Sequence, residues 1–197
     1  MKRSTTLMLF CMTIIPAFLS SCICGNRSRQ DIVGKKLVCD SLLLFKEREY
    51  TLVNDSIFKD VSVMLWIDST KCSQCELERL INYDLFSSQC EKIIGEEGRI
   101  KVVISLSESY GLDYLIDDVK FLNHSFDILI DYKNRITSML GCNERLLFVL
   151  KDGIIIKYYH IENADVDAYK MKDCLDYLEN IYEEQHDYHD KKRKLPQ

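Results

Sequence analysis

Residues 61–67 read Val-Ser-Val-Met-Leu-Trp-Ile, apolar at odd and even positions alike save for Ser62. A run of this kind has no face to offer water, so it predicts a strand covered on both sides, inside a sheet that carries helices. A second such strand is expected from Arg99 to Leu106 and a third from Phe126 to Ile130. Between the first two, Cys75 to Ile94 spaces Leu77, Leu80, Ile81, Leu85, Cys90, Ile93 and Ile94 as a helical stripe. Tyr110 to Leu122 returns to that spacing through Leu112, Leu115, Ile116, Val119 and Leu122, and a short segment follows the third strand to Gly141. Leu146 to Leu150 and Ile154 to Tyr159 flank Lys151-Asp152-Gly153, and Asp-Gly between β-prone runs predicts a hairpin. Asp165 to Tyr182 closes the pattern as a helix with Ala168, Met171, Leu175, Leu178 and Tyr182 on one face. The order predicts an α/β fold, a central mixed sheet flanked by helices, with an N-terminal strand extension that holds Cys39.

The two ends have different characters. Lys2 and Arg3 precede an apolar run from Leu7 to Leu19, shorter than the roughly 20 residues that span a bilayer. It reads as a secretory signal. The run ends in Leu19-Ser20-Ser21-Cys22, which resembles a bacterial lipobox. That resemblance implies cleavage after residue 21 and a lipid on Cys22, so 1–21 is expected to be a lipoprotein signal peptide and 22–33 a lipid-anchored tether. Acyl chains would then hold the protein at a membrane without a spanning helix. No acidic run follows Cys22, so a surface-export signal is not expected. Residues 34–185 form the expected domain and 186–197 a charged tail, in which His186-Asp187-Tyr188-His189-Asp190 reads as a solvated segment. The implied location is the cell envelope, facing the periplasm, where disulfides persist. A net charge of −5 leaves no basic footprint for nucleic acid.

Chemistry concentrates at Cys72-Ser73-Gln74-Cys75. Two cysteines two residues apart, where a buried strand passes into a helix, form a redox pattern. At the first turn of that helix unpaired N–H groups and the helix dipole favour a thiolate, and Lys71 adds a cation. Cys75, one turn on, stands where a resolving thiol must. Half of a zinc site would need a second CxxC or CxxH pair, and the chain has none. A structural disulfide pinning the helix start remains the other reading of the spacing.

Val61 to Leu80 resembles the strand, active site and first helix of thioredoxin-like proteins. The added helix and strand between 110 and 131 are similar to the TlpA-like branch of membrane-anchored thiol–disulfide oxidoreductases. Ile67-Asp68-Ser69 and Phe126 to Asp131 resemble thioredoxin-like lipoproteins of Bacteroides-type bacteria. The resemblance implies a thioredoxin-like fold over about 34–182, with Cys72 as nucleophile and Cys75 as resolving thiol. It implies no cofactor and no metal. As partners it implies envelope protein thiols or disulfides and a membrane redox donor. The chain departs from that family at two positions. Lys71 replaces the tryptophan before the first cysteine, and Arg145 stands where a cis-proline faces the disulfide. Both departures favour an alternative, a non-catalytic thioredoxin-like binding module with a structural CxxC disulfide.

The remaining candidates are accessory. Trp66 falls near the buried carboxylate position of thioredoxins and Asp68 two residues beyond it, as either a base towards Cys75 or a turn residue. Cys142 lies in the loop before Arg145, as a third exchanging thiol or a small residue after Gly141. Cys90 and Cys174 fall on apolar helical faces and read as core. Ser69-Thr70-Lys71-Cys72 fits the pattern around a peroxidatic cysteine, but Leu65 occupies the place of its preceding proline. A thiol peroxidase is therefore the weakest of the three readings.

Overall fold

A computed structural model describes residues 32–46, 49–68, 79–105, 126–140, 145–162 and 166–193, and those from Val33 on belong to one compact unit. Seven strands among them make a single sheet: β1 (Leu42–Lys46), β2 (Glu49–Leu52), β3 (Val61–Asp68), β4 (Lys101–Ser105), β5 (Asp127–Asp131), β6 (Leu146–Lys151) and β7 (Ile154–His160). Their order is β2-β1-β5-β4-β3-β6-β7. β3, β4 and β5 run parallel, while β6 and β1 flank them antiparallel, so the sheet is mixed as expected. The helices are α1 (Asp84–Ile94), α2 (Arg135–Leu140) and α3 (Ala168–Arg193). No helix among the described residues is long and apolar enough to cross a membrane.

The doubly apolar run around Val61 is what places β3 at the heart of the sheet. Val61, Val63, Leu65 and Ile67 join Val102, Ile104, Ile128, Ile130, Leu147 and Val149 in a core that α1 and α3 cover. The alternate residues Met64, Trp66, Val103, Leu129, Leu146 and Phe148 are just as fully buried on the opposite face. Burial of that many large side chains, at roughly 1.5–3 kcal/mol each, is the main term holding the sheet together. The N-terminal extension is an antiparallel pair, β1 with β2, added to the outer edge of β5.

Several local expectations change. Cys39 is buried but precedes β1 and lies in no strand. Of the helix expected over 75–94, residues 75–78 lie outside the described residues, Arg79–Tyr83 is a 3-10 helix, and regular α geometry starts at Asp84. A three-residue turn stacks Leu80 on Tyr83, and both are buried. The buried face is then Leu80, Tyr83, Phe86, Ser87 and Cys90, whereas Ile81 and Leu85 face solvent at 67 % and 73 % exposure. Two aromatic rings bury more area than the two aliphatic side chains they displace, so they decide which face turns inward.

The stretch before β4 also packs through a close approach. A Cβ on Gly98 would stand 2.4 Å from the carbonyl oxygen of Cys90, so only glycine lets this backbone lie on α1. The predicted hairpin is present, with φ of 52° at Asp152 and 75° at Gly153. Positive φ at both central residues is the type I′ pattern that matches strand twist. The helix expected to end at Tyr182 runs on to Arg193. The segment 110–122 lies outside the described residues.

Candidate functional site

The three parallel strands end together. Asp68 of β3 pairs with Ser105 of β4, and Ser105 pairs with Asp131 of β5, so these residues form one cross-strand row at the carboxyl edge. β6 runs the other way and begins at the same edge, where Leu146 pairs with Trp66. Carboxyl ends of parallel strands are where open α/β sheets place their sites, because the connecting loops converge there. The chain leaves this edge at Asp68 and returns to it at Arg145, on neighbouring strands. Lys71, Cys72, Cys75, Cys142 and Cys22 themselves lie outside the described residues, as does the side chain of Asp68.

The described side chains at this edge are polar, buried and satisfied. Trp66 has no exposure, and its indole Nε1–H donates to Ser105 Oγ at 2.9 Å. The edge thus holds a neutral ring with a fixed hydrogen bond. Asp131 accepts from Ser41 Oγ at 2.7 Å through one carboxylate oxygen and from the Ile136 N–H at 2.7 Å through the other. It ties the end of β5 to the turn before β1 and to the first turn of α2, a bracing role that occupies both oxygens. Neither Ser105 nor Asp131 was among the sequence candidates. The available signal was a polar residue closing an otherwise apolar strand, which is equally the signal of a strand end.

Arg145 is half-buried and committed elsewhere. Its carbonyl accepts from Ile161 N–H at 3.0 Å, extending the β6–β7 ladder, and its Nη1 donates to the Glu162 carbonyl at 2.9 Å. Burial pulls the guanidinium below its usual range, and the nearby Asp167 carboxylate opposes that fall. Asp167 is itself buried, accepting from Glu162 N–H at 2.6 Å and pairing with Lys170 at 2.7 Å. Arg145 and Asp167 therefore hold Glu162 from two sides, just beyond the end of β7. Among the described residues no group of three His, Cys, Asp or Glu side chains is arranged to hold a metal ion.

No family model matches the chain, and no curated protein matches its sequence. Solved structures do resemble it. A mutant of PrxQ from Xylella fastidiosa is 12% identical with a TM-score of 0.52, the match covering 75% of this chain and 95% of that one. The exposed lipoprotein thioredoxin Etrx1 from Streptococcus pneumoniae is 17% identical with a TM-score of 0.48, covering 66% of this chain and 97% of that chain. The bacterioferritin comigratory protein of Xanthomonas campestris is 13% identical at a TM-score of 0.49, with 75% and 97% covered. At such identities the likeness concerns architecture alone. With the strand order and the mixed pairing described above, it establishes that this chain has a thioredoxin-like fold, in which a seven-stranded sheet lies between helices and carries an N-terminal extension at one edge.

Proposed function

We propose that this protein is a membrane-anchored thiol–disulfide oxidoreductase of the cell envelope, with Cys72 as the attacking thiol and Cys75 as the resolving one. The observation that carries the reading is the motif's position on a thioredoxin-like fold. In the sequence Cys72-Ser73-Gln74-Cys75 follows β3, whose end at Asp68 lies at the carboxyl edge of the parallel strands, and precedes the helical segment Arg79–Tyr83. In the reductive direction the Cys72 thiolate attacks one sulfur of a substrate disulfide, forming a mixed disulfide and expelling the first thiolate. Cys75 then attacks Cys72 Sγ, closing the intramolecular disulfide and releasing the second thiolate. Two electrons and two protons pass from the dithiol to the substrate, and a membrane redox donor restores the dithiol. No cofactor takes part. Acylated Cys22 holds the domain at the membrane, facing periplasmic substrates.

Trapping tests this directly. Cys75→Ser, incubated with a peptide disulfide, accumulates a one-to-one mixed disulfide at Cys72 that mass spectrometry resolves, while reduced wild type releases both peptide thiols and closes the Cys72–Cys75 disulfide. Cys72→Ser loses turnover by two orders of magnitude or more. Wild type reducing the disulfide no faster than the Cys72→Ser/Cys75→Ser double variant contradicts the proposal. The second reading, a binding module with a structural disulfide, is favoured by the place of Arg145, whose guanidinium is held by the Glu162 carbonyl. It requires that absence of turnover.

A further inference from the structure

Two cysteines take no part in the reading above. Cys90 lies on the buried face of α1 beside Phe86 and Ser87, and Cys174 lies on α3 between Met171 and Leu178. Both are free thiols with no solvent exposure, both belong to the same apolar cluster, and α1 packs directly on α3. Burial pushes the Cys90 thiol up to about 12, and Cys174 is raised first by burial and then by Cys90. Packed helices lie roughly 8–10 Å apart with Cα atoms on cylinders of about 2.3 Å radius. Cα atoms that face each other across such a seam come within roughly 3.5–5.5 Å, which overlaps the span of a disulfide.

We propose that Cys90 and Cys174 are a second dithiol, which closes into a disulfide across α1 and α3 when the chain folds in the presence of a disulfide donor and is sealed once α3 has docked. The donor is a low-molecular-weight or protein disulfide. One cysteine thiolate attacks it and expels a thiolate, giving a mixed disulfide. The other cysteine then displaces the second thiolate from that intermediate. Two S–H groups lose two protons and two electrons, which the donor's S–S bond takes up. In the docked protein neither step is open, because both sulfurs lie inside the core and the thiolate is strongly disfavoured there. The pair thus records the redox conditions of folding and not those the finished protein meets. It works independently of turnover at Cys72.

The test uses the full-length chain with Cys72→Ser and Cys75→Ser, unfolded and reduced, then refolded either in a mixed glutathione buffer or in reductant alone. Remaining thiols are blocked with N-ethylmaleimide in denaturant, and the digest is mapped without reduction. Oxidative refolding is expected to yield a peptide linking Cys90 to Cys174 and to raise the thermal midpoint by roughly 5–10 °C. Cys174→Ala abolishes that gain. Oxidised glutathione added after reductive refolding forms the link at least tenfold more slowly. Mapping wild type isolated from an oxidising compartment gives the same answer where refolding yields are poor. The proposal is overturned if Cys90 and Cys174 both carry N-ethylmaleimide after oxidative folding, or if either is joined to Cys39 or Cys142 instead.

Discussion

Trp66 is the residue on which the site-bearing edge turns. Its side chain is wholly buried at the last full pairing of β3 with β6, and its one polar group is spent on Ser105 Oγ. Ser105→Ala removes that acceptor and leaves an indole N–H buried without a partner, which costs about 1–3 kcal/mol. Urea unfolding is expected to show a lowered midpoint with an unchanged slope. An unchanged midpoint would mean that the bond contributes nothing. That Trp66 lies in a strand buried on both faces was legible in the sequence, because Val61 to Ile67 is apolar at odd and even positions alike save for Ser62. Its bond to Ser105 was not, since it depends on the register that sets Trp66 opposite Val103 and so two residues from Ser105, on the same face. The same holds for Asp131, whose partners Ser41 and Ile136 lie on different elements.

At the scale of elements, the seam between α1 and α3 is where the sequence pattern and the structure part company. Cys90 and Cys174 were legible as core residues because each repeats at helical spacing with its neighbours. The inward face of the 3-10 helix and α1 was misjudged at Ile81 and Leu85, because aliphatic spacing alone does not weigh Tyr83 and Phe86 against them. The seam also makes stability depend on pH. The unfolded Cys90 thiol ionises near the ordinary value of about 8.5, whereas burial in the folded protein raises it to about 12. Between those values the unfolded state binds fewer protons than the folded state, so folding stability falls as pH rises. Cys90 contributes a slope of about 1.4 kcal/mol per pH unit across that window, and its contribution is fully present below it. Urea titrations of the reduced protein from pH 8 upward are expected to show this loss, with a shallower slope in Cys90→Ala. A flat profile would contradict the burial of the thiols.

For the molecule as a whole, the fold was largely readable, because strands buried on both faces, a helical stripe and an Asp-Gly hairpin leave few arrangements open. What escaped the sequence was β2, α2 and the continuation of α3 to Arg193, where no apolar periodicity marks the element. The proposed anchor makes a separate prediction. Wild type expressed with a labelled fatty acid is expected to incorporate it and sediment with membranes, and Cys22→Ser to lose both properties. Equal labelling of the two would contradict acylation at Cys22. The central claim is that Cys72 is an activated nucleophile, and the pH dependence of its alkylation rate, taken as the difference between wild type and Cys72→Ser, tests it most directly. The account predicts a midpoint well below the free-thiol value of about 8.5, together with a Cys72/Cys75 potential within reach of a glutathione buffer. A midpoint at or above about 8.5, with a potential below roughly −300 mV, would mark the pair as an inert structural bridge and contradict the account.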